Sequence, residues 1–217
     1  MNTLSAKTRT TLAGALLIGL GLVTAPASSN LLVNGGFEDT PVNTAQRDWQ
    51  AFDNGEVSGW QGESIELWNG RSEMLAFEGD QLAELNAHGK RAPGAPFSMY
   101  QVFDTDPGAL YDLSFAYGAR SNNDEAFRVD VADMQFLIED HVVNAWSRFQ
   151  GNFQAVSSQT TLRFTSVTPD EGTKGNFLDD VSVTRAAAPV PTPSTAMLLL
   201  LGSLLLIAGR QLNRRER

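Results

Sequence analysis

The 217-residue chain has no cysteine, is 42% hydrophobic and 19% charged, and carries a formal net charge of −9. That length suits one domain with appendages, and it excludes a disulfide framework, a thiolate nucleophile or a zinc–cysteine cluster because the thiols are missing. The acidic balance also argues against a nucleic-acid partner, which needs clustered Lys and Arg.

Residues 1–27 read as a secretory signal. Lys7 and Arg9 form a positive n-region, Leu12 to Val23 an apolar run, and Ala25-Pro26-Ala27 a small-residue cleavage site. A membrane anchor is the competing reading, but the run is short for a span and has no stop-transfer cluster after it. Removal of this leader leaves a mature chain starting near Ser28.

Between Asn30 and Arg185 the hydrophobic period is two. Tyr111, Leu113, Phe115 and Tyr117 alternate with Asp112, Ser114, Ala116 and Gly118, the pattern of a strand with one face in a core. Phe127, Val129 and Val131 repeat it, as do Leu162 with Phe164, and Val181 with Val183. Turn signals separate them at Asp106-Pro107-Gly108, 121–124 and 169–172. Short strands at this spacing, with no helical window, predict an all-β antiparallel sandwich over residues 28–188.

Residues 189–217 differ in kind. Pro189, Pro191 and Pro193 make an extended spacer, Ala196–Gly209 is apolar, and Arg210, Arg214, Arg215 and Arg217 follow. Fourteen residues at 1.5 Å give about 21 Å, short of a ~30 Å hydrocarbon core. Ser194, Thr195 and snorkelling arginines extend the segment to a marginal transmembrane helix over about 195–209. The arginines keep the tail cytoplasmic and set the middle of the chain outside. Without both ends, residues 28–188 carry 10 Lys and Arg against 24 Asp and Glu, a formal −14. A surface so acidic should repel anionic polymers, and solubility accounts for most of its charge.

The tripartite end, with the sorting motif Pro191-Thr192-Pro193-Ser194-Thr195, an apolar helix and terminal arginines, resembles the PEP-CTERM signal of Gram-negative surface proteins. That resemblance implies export across the inner membrane, a membrane-anchored stage and recognition by an exosortase-type membrane protease. Thr192 stands where that family has Glu. A second resemblance runs through the middle. Asn30-Leu31-Leu32-Val33-Asn34-Gly35-Gly36-Phe37-Glu38 looks like the opening strand of galactose-binding-like jelly rolls. Gly59-Trp60, 65–68, 79–86, Met99-Tyr100-Gln101-Val102 and 177–183 are similar, in order, to the DUF642 cell-wall family. It implies an eight-to-ten-strand jelly-roll sandwich, commonly with a structural calcium ion and sometimes with a sugar site.

Calcium takes six to eight hard oxygens, and in the resembling modules the ion ties the first strand to the last. The matching acids are Glu38 and either Asp179 or Asp180, with Asp80 in a turn beside them. Strand parity puts Asp179 on the side of Val181 and Val183, where an unpaired carboxylate is costly, and makes it the first choice. The competing reading is that these acids cap turns.

A sugar site uses aromatic faces against the pyranose, with amides, carboxylates or Arg on its hydroxyls. Trp49, Trp60, Trp68, Tyr100 and Arg120 are the candidates, whereas Tyr111, Phe115, Tyr117 and Trp146 read as core. Arg120 has a second reading, as partner of a structural carboxylate. His88 and His141 are the only histidines and neither lies in a motif with a nucleophile, so no catalytic residue is assigned. The expected function is therefore a non-catalytic surface or matrix protein that interacts with extracellular polysaccharide. A self-associating structural protein without a sugar site is the alternative, and a β-sandwich hydrolase the second.

Overall fold

The period-two stretches all become strands. The computed structural model describes residues 29–70 and 74–187. The leader, and Pro191, Thr192, Pro193, Ser194 and Thr195 with the segment after them, lie outside the described residues.

Ten strands follow one another: β1 (Trp49–Asp53), β2 (Ser64–Asn69), β3 (Gln81–Glu84), β4 (Ser98–Asp104), β5 (Leu110–Gly118), β6 (Ala126–Val131), β7 (Met134–Ile138), β8 (Ser147–Gln154), β9 (Gln159–Thr168) and β10 (Phe177–Arg185). They form two antiparallel sheets, one ordered β1-β2-β3-β10-β5-β8 and the other β4-β9-β6-β7. Among the described residues there is no helix, and hence none long and apolar enough to cross a membrane. The described residues form an all-β antiparallel sandwich.

The inward positions are those the alternation marks. Leu113, Phe115, Tyr117, Phe127, Val129, Val131, Leu162, Phe164, Val181 and Val183 share one buried core between the sheets. Phe115 sits at its centre, stacked on Phe149 at 4.7 Å and edge-on to Phe164 at 5.2 Å. Each such ring contributes about 1.5–3 kcal/mol through burial alone. Trp60, expected as a ligand platform, is instead 1% exposed in this core. Its ring meets Phe37 and Phe164, and its indole N–H donates to the Asn34 carbonyl at 2.9 Å. The glycines around it, which made the stretch look like a surface loop, serve close approach. A Cβ on Gly59, whose φ is +78°, would lie 2.7 Å from the Val33 carbonyl oxygen.

Two other expectations change. Residues 30–38 form turns rather than an opening strand, because Asn34 and Phe37 have φ of 55° and 63°. The segment still clasps β10: Leu31 N–H donates to Val183 O at 2.8 Å and Val181 N–H to Gly35 O at 2.9 Å. On β10 itself the register shifts between Asp179 and Ser182, with Asp180 at a φ of 46°. This bulge inserts an extra residue and breaks strand parity. Leu178, not Asp179, therefore shares the core with Val181 and Val183. Asp179 turns to the outer face of the six-stranded sheet, where Trp68, Met74, Leu82 and Phe177 make a second small cluster flanked by Trp49 and Trp146. Trp146 is thus only partly buried and outside the main core.

Candidate functional site

The outer face of β1, β2 and β3 buries charge. Glu66 and Glu84 are cross-strand partners, and both are within 1% of fully buried. Two like charges side by side are unfavourable unless each has a partner. Arg120 supplies one: its Nη1 donates to both Glu84 carboxylate oxygens, at 2.6 and 2.8 Å. Trp68 Nε1 and the Gly175 N–H complete the Glu84 set at 2.9 and 2.7 Å. Burial still pushes the Glu84 carboxyl upward, against the pull of Arg120.

His88 supplies the other. Glu66 Oε2 accepts from the His88 backbone N–H at 2.8 Å and lies 2.7 Å from Nδ1. A carboxylate only accepts, so the Nδ1 proton points at Glu66, and Nε2 lies 3.0 Å from the Thr173 hydroxyl. The imidazole, 41% exposed, stacks on Trp49 at 4.5 Å. From there a ladder of rings and guanidinium groups crosses the face. Arg47 lies 4.6 Å over Trp49, Trp49 is 6.0 Å from Trp68, and Arg120 lies 4.7 Å over Trp68.

Trp49 and His88 open onto a cleft of about 480 Å³, whose other polar walls are Asn43, Gln46, Arg47 and Gln50. Gly89 joins it to a second cleft, of about 710 Å³, walled by Asp53, Asn54, Glu63, Lys90 and Arg91. Asn54 and Glu63 in turn join a third, of about 340 Å³, that ends at Tyr100 and Arg163. There Arg163 sits 4.1 Å over the Tyr100 ring. The clefts adjoin along one margin of the sandwich, from the β1 edge of one sheet to the β4 edge of the other. They form a groove with a half-buried aromatic ring and an arginine at each end. Amides, cations and carboxylates between those ends match the hydroxyls and substituents of a sugar chain.

The structure thus brings Trp49, Trp68 and Arg120 together and places Tyr100 at the far end of the same groove. Of these, Trp49 and Tyr100 reach the clefts, while Trp68 is buried beneath Arg120. Arg120 takes its structural reading. Glu66, Glu84 and His88 escaped the sequence-level argument, because a lone Glu in a strand reads as a solvated position. The available signal was their setting in Ile65-Glu66-Leu67-Trp68 and Leu82-Ala83-Glu84-Leu85, acids inside otherwise apolar strands. Glu125 escaped for a different reason. Fully buried, it accepts from the N–H groups of Arg120, Ser121 and Asn176, at 2.8, 2.5 and 2.7 Å, and so folds the loop after β5.

The acids considered for calcium do not fit the ion in this arrangement. Asp179 Oδ2 accepts from Phe77 and Glu78 N–H at 2.7 and 3.1 Å, and Oδ1 from Asp180 N–H at 2.7 Å. Glu38 Oε1 accepts from Asp80 and Gln81 N–H, each at 2.8 Å. Asp180 is held by Arg148 at 2.9 Å. Backbone amides thus take up both oxygens of Asp179 and Oε1 of Glu38, and these acids anchor the 77–81 turn. Among the described residues no group of three or more His, Asp or Glu is placed to hold a metal ion. Burial pushes the Asp179 carboxyl up to about 7, and the neighbouring Asp180 raises Glu78.

The model of the family described as "Protein of unknown function (DUF642)" matches residues 30–184. The chain belongs to the DUF642 family. A relative, Halomucin of Haloquadratum walsbyi, is 27% identical over 173 residues, covering 75% of this chain; that alignment spans 2% of the relative's length. Among solved structures, TmCBM61 in complex with β-1,4-galactotriose is similar at 16% identity, over 73% of this chain and 100% of that one, with a TM-score of 0.46. A CBM4 structure is similar at 14% identity, over 71% and 99% of the two chains, with a TM-score of 0.43.

Proposed function

We propose that this protein is an exported, non-catalytic glycan-binding module that holds extracellular polysaccharide at the cell surface or in the matrix. The observation that carries the reading is the groove running from Trp49 and His88 to Tyr100 and Arg163, with amide, cationic and acidic walls between. Rings already braced by His88, Arg47 and Arg163 are preorganised for stacking, which limits the ordering cost of binding.

Delivery rests on the two ends of the sequence: a leader removed after Ala27, and a tail handed to an exosortase-type protease at the inner membrane. Intact mass of the surface form tests this part. Loss of the leader and of the arginine cluster is the expected result, and a full-length cytosolic species would overturn it.

A pull-down with the host's exopolysaccharide tests the binding part. Retention that falls on changing Trp49 and Tyr100 to Ala, with the fold intact, is expected. The hydrolase alternative needs turnover that disappears on changing one specific acid, and the Glu66–His88–Thr173 chain is one arrangement that offers a hydroxyl beside a base. Ester turnover abolished by Thr173→Ala would overturn the non-catalytic reading.

Self-association is the second reading, favoured by one observation. Strand β7 ends its sheet, leaving one backbone edge without a partner strand among the described residues, and exposes Met134 and Leu137. Light scattering of the purified protein, with and without Leu137→Lys, separates the two roles.

A further inference from the structure

Net charge alone disfavours an anionic partner, yet the cations of this domain are not evenly spread. Nine Lys and Arg fall within the described residues. Four of them are spent on acids: Arg120 on Glu84, Arg128 on Asp130, Arg148 on Asp180 and Arg185 on Asp106. Of the other five, Arg47, Lys90, Arg91 and Arg163 all line the groove, and none has an acid within ion-pair distance among the described residues. Lys174 alone lies elsewhere.

Placement within the groove sharpens the point. The Trp49 cleft has no acid in its walls: Arg47 and His88 face Asn43, Gln46 and Gln50. In the wall of the Tyr100 cleft Glu63 is the one acid among the described residues, its Oε2 accepting from the Ala92 N–H at 2.6 Å, while Asp130, the cross-strand neighbour of Arg163, is paired with Arg128. A groove with an arginine at each end that has no acid within ion-pair distance among the described residues, and with amides beside them, suits planar or tetrahedral anions, which a guanidinium binds with two parallel hydrogen bonds. The surrounding acidic surface then acts as a filter. It disfavours polyanions away from the arginines of this line, and so gives register rather than indiscriminate adhesion.

We infer that the groove takes an anionic glycan, a chain bearing carboxylate or sulfate groups, with the charged substituents seated at Arg47 and Arg163. The inference deepens the glycan-binding reading and rests on it. Its test is affinity electrophoresis of the full chain, in detergent, through gels containing polygalacturonate, dextran sulfate or a neutral panel of dextran, mannan and galactan. Retardation by a polyanion but not by the neutral panel is expected, falling about tenfold in affinity for Arg47→Gln and again for Arg163→Gln. It should also weaken in 0.5 M salt. Stronger retardation by polygalacturonate assigns a carboxylate, and stronger retardation by dextran sulfate assigns a sulfate ester. Neutral polymers retarding the protein as well as the polyanions overturns the inference and leaves the glycan-binding reading standing. So does polyanion binding that ignores both substitutions. Retardation by none of the gels overturns both.

Discussion

The two faces of the six-stranded sheet solve burial in opposite ways. Toward the four-stranded sheet the side chains are aliphatic and aromatic, and any ring of the right volume fits the scheme. On the outer face of β2 and β3, two carboxylates are sunk to within 1% of full burial beside Trp68 and Leu82, and each is held by a named partner. The inner face specifies the fold, whereas the outer face fixes His88 and the residues beside the groove. Its stability is therefore concentrated in a few bonds, and the two faces should fail differently when altered.

The largest effects separate them. Arg120→Met leaves Glu84 buried without its cation and should cost about 3–5 kcal/mol in chemical denaturation. Adding Glu84→Leu to that variant should restore most of the loss, since a matched apolar pair replaces a matched charged one. No such rescue is open to the inner face: Phe115→Ala should also cost about 3–5 kcal/mol, by cavity formation and lost ring contacts. Equal recovery of both, or of neither, would erase the distinction.

The tryptophans sharpen it. Trp60→Ala should destabilise by about 3–5 kcal/mol with no direct effect on ligand, because the ring is wholly inside. Trp49→Ala should cost far less in stability and yet weaken binding about tenfold. Thermal melts paired with glycan retention distinguish these outcomes in one series.

A smaller effect is a pH dependence written into the core. Burial holds the His141 imidazole down, near 4, against the pull of Glu125 and Asp140, with the Tyr117 and Phe127 rings packed on it. The unfolded chain takes up this proton on passing below about 6.5, while the folded one waits until about 4. Stability from this residue is thus complete above pH 6.5 and lost as pH falls to 4, by about 1–3 kcal/mol. Asp179, raised to about 7, acts in the reverse sense and loses stability as pH rises from about 4 to 7. His141→Phe should flatten the acid limb, measured by urea midpoints from pH 4 to 7. Smallest of all, adding EDTA should move the melting temperature by less than about one degree, since amide N–H groups already satisfy Glu38 and Asp179.

Most of the fold could be read from the sequence, because period two is a direct consequence of a strand with one buried face. Phe127, Val129 and Val131 sit where alternation puts them. The failures have local causes. One extra residue at the β10 bulge moved Asp179 to the opposite face from that assigned by parity. Positive φ at Asn34 and Phe37 turned an apparent first strand into a clasp. At the site, Trp49, Tyr100 and Arg120 were visible as residue types, but alternation does not say which aromatic reaches solvent. The partnership of Glu66 with His88 spans 22 residues and depends on the register of β2 against β3, which no short motif encodes.

The central claim is that Trp49 and Tyr100 mark the two ends of one glycan groove. Its most direct measurement compares saturable retention of the full-length protein on immobilised exopolysaccharide with that of the Trp49→Ala/Tyr100→Ala double variant. Binding should fall by about a hundredfold, near tenfold for each ring, while the melting temperature stays within a few degrees. Undiminished retention in the double variant, or none in the unaltered protein on any polysaccharide, would contradict the account.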